Sequence, residues 1–401
     1  MKNRDILISG AGVAGTTLAY WLRRYGFHPT VVEQAAAPRP GGQAIDLRGA
    51  AREVVDRMGI LDQIRRAHTG TRGLAYVDAA NKRLASLPAD LLGDSGGAIA
   101  EIELLRSDLA GILHSLTRED VQYRFDDAIT DIAQDDDGAK VTFQRGVPQT
   151  FDLVVGADGL HSGVRALTFG QESAFVRDLG AYVAIFTTTS RLDLDGWELM
   201  HSAPGRTVGL YPVGHTNQAK AAFYFVSPPL DYRRHNLDQQ KRFLADAFAG
   251  QGWEVPRLLE AMWEAPDFYF DRISQVHMDH WSAGRTVLVG DAAYCPSPLA
   301  GVGTSLALVG AYVLAGELAA ADGDHHSAFA KYERELRDYV RKGQQLAKGN
   351  ATGLIPRSRS QIWLRNQLIR ALPYMPWKGL LAGGVQKAAN AITLTEYQAL
   401  R

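Results

Sequence analysis

The chain has a single cysteine, Cys295, among 401 residues, so no intramolecular disulfide can form and a disulfide-stapled secreted design is excluded. Net charge is lacking too: 43 Lys and Arg face 44 Asp and Glu, a formal charge of -1. Nucleic acids and anionic membranes are recognised through large basic fields, so neither is expected as the main partner. No Cys/His cluster has metal-ligand spacing, so no metal is expected. Repeats and low-complexity tracts are absent as well. What is present is ample core material, with 46% apolar and 22% charged residues, which excludes disorder. At about 150 residues per domain the length suggests two or three domains.

The charge-free run from Ile6 to Leu22, followed by Ala35-Ala36-Ala37, imitates a secretory signal. Gly10, Gly12 and Gly15 interrupt it at G-x-G-x-x-G spacing, which suits a tight phosphate-binding turn and not a membrane-inserting helix. The run is short for a span of about 20 residues and no longer apolar run is expected after it, so a cytoplasmic protein is the expectation.

Ile6 to Ser9 reads as a buried parallel strand, Gly10-Ala11-Gly12-Val13-Ala14-Gly15 as the turn, Thr16 to Tyr25 as a helix and Pro29 to Glu33 as a second strand. The first glycine permits the turn, the second admits backbone N–H groups to a pyrophosphate, and the third lets helix and strand pack closely. Glu33, at the end of the second strand and followed by Gln34, is placed to accept ribose hydroxyls and to disfavour a 2′-phosphate, so the adenosine diphosphate of NAD or FAD is expected there. An incidental Glu after a glycine-tolerant helix start is the bland alternative.

Three further segments carry candidate chemistry. Strand Phe151 to Val155 leads into Gly156-Ala157-Asp158-Gly159 and a helix start with Arg165, where Asp158 is either a cofactor-side carboxylate or an ordinary cap, and Arg165 can pair with it or with a phosphate. Strand Arg285 to Gly290 ends in Asp291, placed to hold a polyol chain; Pro298 and the amides of Gly301, Val302 and Gly303 follow, at the positive end of a helix from Thr304. Arg106 opens a helix running to Thr117. Between these segments the pattern turns β-rich, with strand candidates at Tyr182 to Thr188, Val208 to Pro212 and Ala219 to Val226. An α/β architecture is therefore expected: a Rossmann-like domain for NAD or FAD, an FAD-binding domain by the resemblance that these segments carry, with an inserted β-sheet substrate domain and a C-terminal bridging helix. The dinucleotide-binding part is read as 1–72, 98–175 and 276–350, the substrate part as 73–97 and 176–275, and 351–401 as a C-terminal helical segment. In that segment Ile362, Trp363, Leu368, Ile369 and Leu372 share a helical side, with Arg365 and Arg370 elsewhere; packing across the two domains is favoured over a membrane-surface role because the whole chain is neutral.

In this order and spacing the four segments resemble the single-component (group A) FAD-dependent aromatic hydroxylases of the para-hydroxybenzoate hydroxylase fold. Gly41 to Gly49, Asp267-Phe268-Tyr269-Phe270-Asp271 and Gly290 to Leu299 narrow the resemblance to the tetracycline-inactivating flavin monooxygenases. The resemblance implies that Gly10, Gly12, Val13, Ala14 and Gly15 face the FAD pyrophosphate and that Glu33 and Gln34 lie at the adenosine ribose. It further implies that Arg106, Asp158 and Asp291 serve the ribityl and phosphate region, Asp46 and Arg48 the isoalloxazine edge, and Pro298 with Gly301 to Gly303 the ring. Arg39 would lie on the NAD(P)H approach, with Arg165 a second candidate there. The aromatic-rich region from 175 to 275 suits a flat polycyclic ligand and offers Tyr211, Phe223 and Phe225 as substrate residues, although aromatic stripes at strand spacing are more often core. Tyr294, Val302 and Gly310 depart from residues common in group A, although Tyr294 is shared by the tetracycline-inactivating branch. Flavin halogenases of similar fold are disfavoured because no two of the seven tryptophans are two residues apart.

The implied reaction is reduction of FAD by NADPH or NADH, formation of a C4a-hydroperoxide with O2 and transfer of one oxygen atom to an aromatic or enol carbon of a polycyclic aromatic or polyketide substrate. Inactivation of a tetracycline-class antibiotic and a biosynthetic hydroxylation both fit. Only one dinucleotide turn is present, so the nicotinamide would bind transiently. No protein nucleophile is expected; His161, His201 and His215 could handle protons but read more readily as structural. A monomer is expected. Two other classes stay open: an NAD-dependent dehydrogenase, which leaves the Asp158 and Asp291 turns without work, and a non-catalytic FAD-containing protein that sequesters a ligand.

Overall fold

The computed structural model describes residues 2–38, 41–91, 102–214, 217–375 and 378–398. Ile6, Leu7 and Ile8 form an uninterrupted apolar run, the pattern of a strand covered on both faces, and all three are fully buried in Asp5–Ser9. That strand sits inside a six-stranded sheet, ordered Ser282–Ala283, Thr286–Leu288, Leu153–Gly156, Asp5–Ser9, His28–Glu33, Gln122–Phe125. Every pairing is parallel except that of Ser282–Ala283. The register matters most for the site. Ser9 lies opposite Gly156, and Gly156 opposite Leu288, so the three turns that follow these strands emerge side by side at one edge. Ligands of open parallel sheets bind at that carboxyl edge.

The strand read at Phe151 to Val155 is split in two. Gln149–Phe151 pairs with Ala139–Phe143 in a three-stranded sheet, and Leu153–Gly156 joins the main one. Asp152 makes the break: its carboxylate accepts the Asp5 N–H at 2.8 Å while its own N–H donates to the Asp5 carbonyl at 2.9 Å.

A second, seven-stranded sheet is ordered Tyr269–Val276, Val176–Thr189, Gln218–Val226, Arg206–Pro212, Trp197–Ala203, Gly73–Val77, Arg83–Pro88. Its strands alternate. Ala75, Leu199, Leu210, Phe223, Phe225 and Phe270 point to one face and form an apolar core with helices Leu237–Ala247 and Val255–Glu264. The opposite face meets the nucleotide-type domain and shares its core through Val183, Ile185, Tyr211, Ala222 and Ile273.

Contrary to the sequence expectation, a longer apolar run does follow the first. Gly303–Ala320 is the one helix among the described residues long and apolar enough to cross a membrane, yet 78% of it is buried inside the fold. It packs between Val13–Arg24 and His325–Leu354, so its apolarity on all sides reflects a central core position. Beyond it, helix Arg359–Ala371 lies on strands Arg83–Pro88 and Trp197–Ala203 of the seven-stranded sheet. The chain then returns to the other domain, where Tyr397 covers Gly316 and donates to Glu317 Oε1 at 2.8 Å.

Candidate active site

The three glycines of the first turn divide the work unequally. A Cβ on Gly15 would lie 1.9 Å from the Gly10 carbonyl oxygen, so the helix is seated directly on the turn. Gly10, at φ +107°, would place a Cβ 2.5 Å from the Ala157 carbonyl oxygen, which locks the first turn to the second. Around Gly12 nothing lies within 4 Å of such a Cβ: its side of the turn is open. Helix Val13–Arg24 begins at Gly12 with no side-chain cap and no acidic residue in its first turn. Its orphan N–H groups and positive dipole end therefore face open space, the arrangement a pyrophosphate needs. Glu33 is fixed at the strand end by accepting the Ala11 and Ala35 N–H groups, each at 2.9 Å.

The third turn is open in the same way. Asp291, Pro298 and Gly301 are exposed, whereas Ala292 to Ser297, Leu299 and Ala300 between them are buried. Asp291 is accessible and yet surrounded by protein, and burial pushes its pKa up, as expected of a carboxylate at the bottom of a cleft. Helix Gly303–Ala320 starts beside Gly301 (φ +66°), again with no side-chain cap and no acid in its first turn. Gly42, at φ +110°, would bring a Cβ to 2.7 Å from Arg106 Nε, so the 41–43 loop is folded closely over this arginine. Arg48 donates to Asp46 Oδ2 from Nη2 at 2.7 Å and from Nε at 3.0 Å. Two uncapped helix ends, an acidic strand terminus and an exposed carboxylate, brought together at one edge of the parallel sheet, are a donor set that fits FAD.

Several expected contacts take another form. Arg165 is fully buried and donates to the Ala292 carbonyl at 2.8 Å and the Leu160 carbonyl at 2.6 Å, which ties the second turn to the third; it cannot meet NAD(P)H. Asp158 acts as a cap: it accepts from the Ser162 hydroxyl and, at 3.1 Å, from the Val164 N–H, and burial raises its pKa. The Val302 side chain is buried against Gly343, leaving only its backbone toward the cleft. Phe223 and Phe225 point away from the cleft into the helix-covered core, where Phe223 stacks with Phe186 and packs edge-on to Phe248. Gln34 is exposed next to Glu33. Arg39 and His215 lie outside the described residues. Gly310 has a local cause: a Cβ there would lie 2.0 Å from the Tyr294 hydroxyl, which sits 3.1 Å from that of Tyr332.

The cleft-facing side of the seven-stranded sheet holds the expected Tyr211 and, around it, residues to which the sequence assigned no role. Tyr211 pairs across the sheet with Lys220, and Tyr224 with Val183, which also pairs with Asp271. Buried Lys220 donates to Asp267 Oδ2 and to the Thr187 hydroxyl, each at 2.7 Å. Burial acts against the Asp267 carboxylate, but these donors overcome it and lower its pKa. Glu198 stands one residue before the Leu199–Leu210 pair, on the Tyr211 side, and makes no hydrogen bond or ion pair among the described residues. Burial, then the nearby Glu103 and Asp46, push it up to about 8. Tyr269 is 46% exposed and donates to Asp271 Oδ2 at 3.1 Å. The same oxygen lies 2.8 Å from His161 Nε2, whose Nδ1 is 3.1 Å from Glu172 Oε2. His161 thus clasps the second turn to the sheet. One signal could have found the right face: Lys220, two and four residues from Ala222 and Tyr224, marks the parity that does not enter the hydrocarbon core.

The model of the family described as "FAD binding domain" matches residues 3–347. An uncharacterised protein of Mycobacterium tuberculosis (strain ATCC 25618 / H37Rv) is 45% identical over 88% of this chain and 95% of its own. A flavin-dependent monooxygenase of Legionella longbeachae serogroup 1 is 38% identical over 99% of both chains. The crystal structure of tetracycline destructase Tet(55) is 39% identical, covers 98% of this chain and 99% of its own, and superposes with a TM-score of 0.84. With a cradle that fits the cofactor and relatives matching along its whole length, the chain belongs to the FAD-binding domain family and is a flavin-dependent monooxygenase similar to the tetracycline destructases.

Proposed function

We propose that the protein uses NAD(P)H and O2 to hydroxylate an electron-rich carbon of a polycyclic aromatic or polyketide-type substrate, with inactivation of a tetracycline-class antibiotic as the specific reading. The observation that carries it is the cleft itself, an FAD cradle at the carboxyl edge of one sheet opposite a polar, tyrosine-bearing face of another. The likeness to Tet(55) along nearly the whole chain favours the tetracycline class over other polyketides.

FAD held there would supply the redox chemistry, accepting a hydride from NAD(P)H and activating O2, of which one atom would go to the substrate and the other leave as water. The chain supplies position and electrostatics. The amides after Gly12 hold the pyrophosphate, Glu33 the ribose, and Asp291 with Arg106 the ribityl and phosphate region. The uncapped start of helix Gly303–Ala320 would offer its positive dipole end to the bound ring and so favour negative charge there. Tyr211 and Tyr224 orient a flat substrate, and the apolar walls around them exclude water. With Arg165 committed to the fold, the nicotinamide takes no dedicated site and docks transiently against the cleft. The protein acts as a cytoplasmic monomer on small molecules.

The test uses purified protein with NADPH or NADH, with and without tetracycline. Flavin absorbance bands, tetracycline-dependent NADPH oxidation and O2 uptake, and a product heavier by one oxygen atom are expected. Absent flavin bands would sink the reading. Oxidation that responds only to other polyketides would shift it to a biosynthetic hydroxylase, and ligand binding without NADPH or O2 consumption to a sequestering protein.

A further inference from the structure

The overall charge balance hides a segregation. From Tyr339 to Thr395 there are nine Lys or Arg and no Asp or Glu, in a chain of net charge -1. Helix Arg359–Ala371 lies within this stretch, and the apolar side expected from its sequence is divided: Ile362 and Ile369 are half-buried, while other large apolar side chains stand exposed. Arg365 points inward: its guanidinium carbon is 3.6 Å from the Tyr76 ring centroid, and Nη1 donates to the Ser202 hydroxyl and the Gly353 carbonyl, each at 3.2 Å. Asn366 beside it is buried. Outward point Trp363, Leu364 and Leu368, which are 63%, 52% and 53% exposed, and just past the helix Tyr374 is 88% exposed. The other large apolar side chains exposed among the described residues are scattered along the chain.

At about 100° per residue, Trp363, Leu364 and Leu368 share one arc of roughly 140° on the helix. Arg359 and Arg370, both exposed, stand at the edge of that arc beside Trp363, and exposed Arg357 precedes the helix. An apolar strip crossed by Gln367 and Ser360, rimmed by cations and with no Asp or Glu on its helix, needs a partner that is apolar inside and anionic at its surface.

We propose that this face docks on an anionic lipid bilayer, with Trp363, Leu364, Leu368 and Tyr374 entering the interfacial layer and Arg357, Arg359 and Arg370 meeting acidic headgroups. Charge complementarity selects this occupant. A second copy related by two-fold symmetry would set one arginine-rimmed strip against another. The helix also grips the seven-stranded sheet, through Arg365 on Tyr76 and Arg370 on the Leu84 carbonyl. Docking therefore holds that sheet at the surface into which an apolar polycyclic compound partitions. The neutrality of the whole chain argued against such contact, but the segregation of charge restores it.

The experiment mixes the full-length, FAD-loaded protein with phosphatidylcholine vesicles, or with vesicles that also contain phosphatidylglycerol, and sediments them. Co-sedimentation with the anionic vesicles, a blue shift of tryptophan emission and release by salt are expected. Trp363→Ser with Leu368→Ser should lower the partition coefficient about tenfold or more, and Arg357→Glu with Arg359→Glu should remove the preference for phosphatidylglycerol. Both variants change exposed side chains, so visible flavin spectra and thermal melts should match the parent and show that they fold. Absence of binding to either vesicle, or equal partition of parent and both variants, would overturn the proposal. So would a lipid-free dimer, seen by sedimentation equilibrium, that the serine variant dissociates.

Discussion

The two faces of the seven-stranded sheet are built by the same strands, one residue out of step, and they could hardly differ more. On the helix-covered face Tyr182 stacks on Phe225 with ring centroids 5.4 Å apart, Phe186 on Phe223 at 5.8 Å, and Phe248 closes edge-on at 4.9 Å from Phe223. On the cleft face stand Glu198, Tyr211, Lys220, Tyr224 and Asp271. The first face gains stability from area removed from water, and the second gives up part of that gain to keep polar groups within reach of a ligand. Aromatic content alone cannot tell them apart, because a strand alternates regardless of which face is functional.

The largest effect that tests this division is on stability. Phe223→Ala should cost about 3–5 kcal/mol of unfolding free energy through the cavity it leaves, while the loaded protein keeps its flavin. Tyr211→Phe should cost less than about 1.5 kcal/mol and instead alter the KM for the aromatic substrate. Denaturation midpoints and steady-state kinetics on the two variants decide it. If Tyr211→Phe destabilised the protein more than Phe223→Ala, the assignment of the faces would be reversed.

Next in size is the clasp between the two domains. Replacing His161 by Ala leaves both Asp271 and Glu172 without their shared donor, at a cost of about 1–3 kcal/mol. Burial opposes the charged imidazole, but the hydrogen bonds to Asp271 and Glu172 prevail and raise its pKa. Its contribution is therefore fully present below the unfolded value of about 6.5 and is lost as pH rises through the folded value. Burial also acts against the Glu172 carboxylate, yet His161 and Arg234 hold it at about 2, so its share is lost as pH falls from its ordinary range toward 2. The gap in Tm between the parent and His161→Ala should peak near pH 5 to 6. A gap that stayed constant from pH 5 to 9 would mean that His161 is neutral in the clasp.

The parallel sheet was the legible part. Ile6 to Ile8 and Leu153 to Val155 are apolar without alternation, and the turn at Gly10 to Gly12 and the one that leads to Asp291 follow strands whose register sets them side by side. Arg165 misled because its charge suggested an anionic ligand, whereas five planar donors also serve to cross-brace backbone carbonyls between turns. Phe223 and Phe225 misled because apolar character was read as affinity for a flat ligand. The outward face of Arg359–Ala371 was illegible for a related reason: periodicity shows that a helix has two faces, and only the Tyr76 ring, distant in sequence, reveals that the arginine took the inner one.

The smallest effect probes the cleft face at its least satisfied point. Glu198 is half-buried, lacks a hydrogen-bond partner among the described residues and titrates at about 8, far above an ordinary carboxylate. Between the ordinary range and that value the folded chain retains a proton that the unfolded chain has released, so stability must fall as pH rises through this window. Glu198→Gln has nothing to ionise. Because the side chain reaches solvent, the gain should be modest, about 1 kcal/mol at pH 9, and should vanish near pH 5. Urea midpoints of the two proteins at both pH values measure it. Parallel midpoints would place Glu198 in an ordinary solvated setting, and the cleft face would then carry less electrostatic strain than its composition implies; a divergence at high pH would show that the functional parity of the sheet is maintained at a measurable cost in stability.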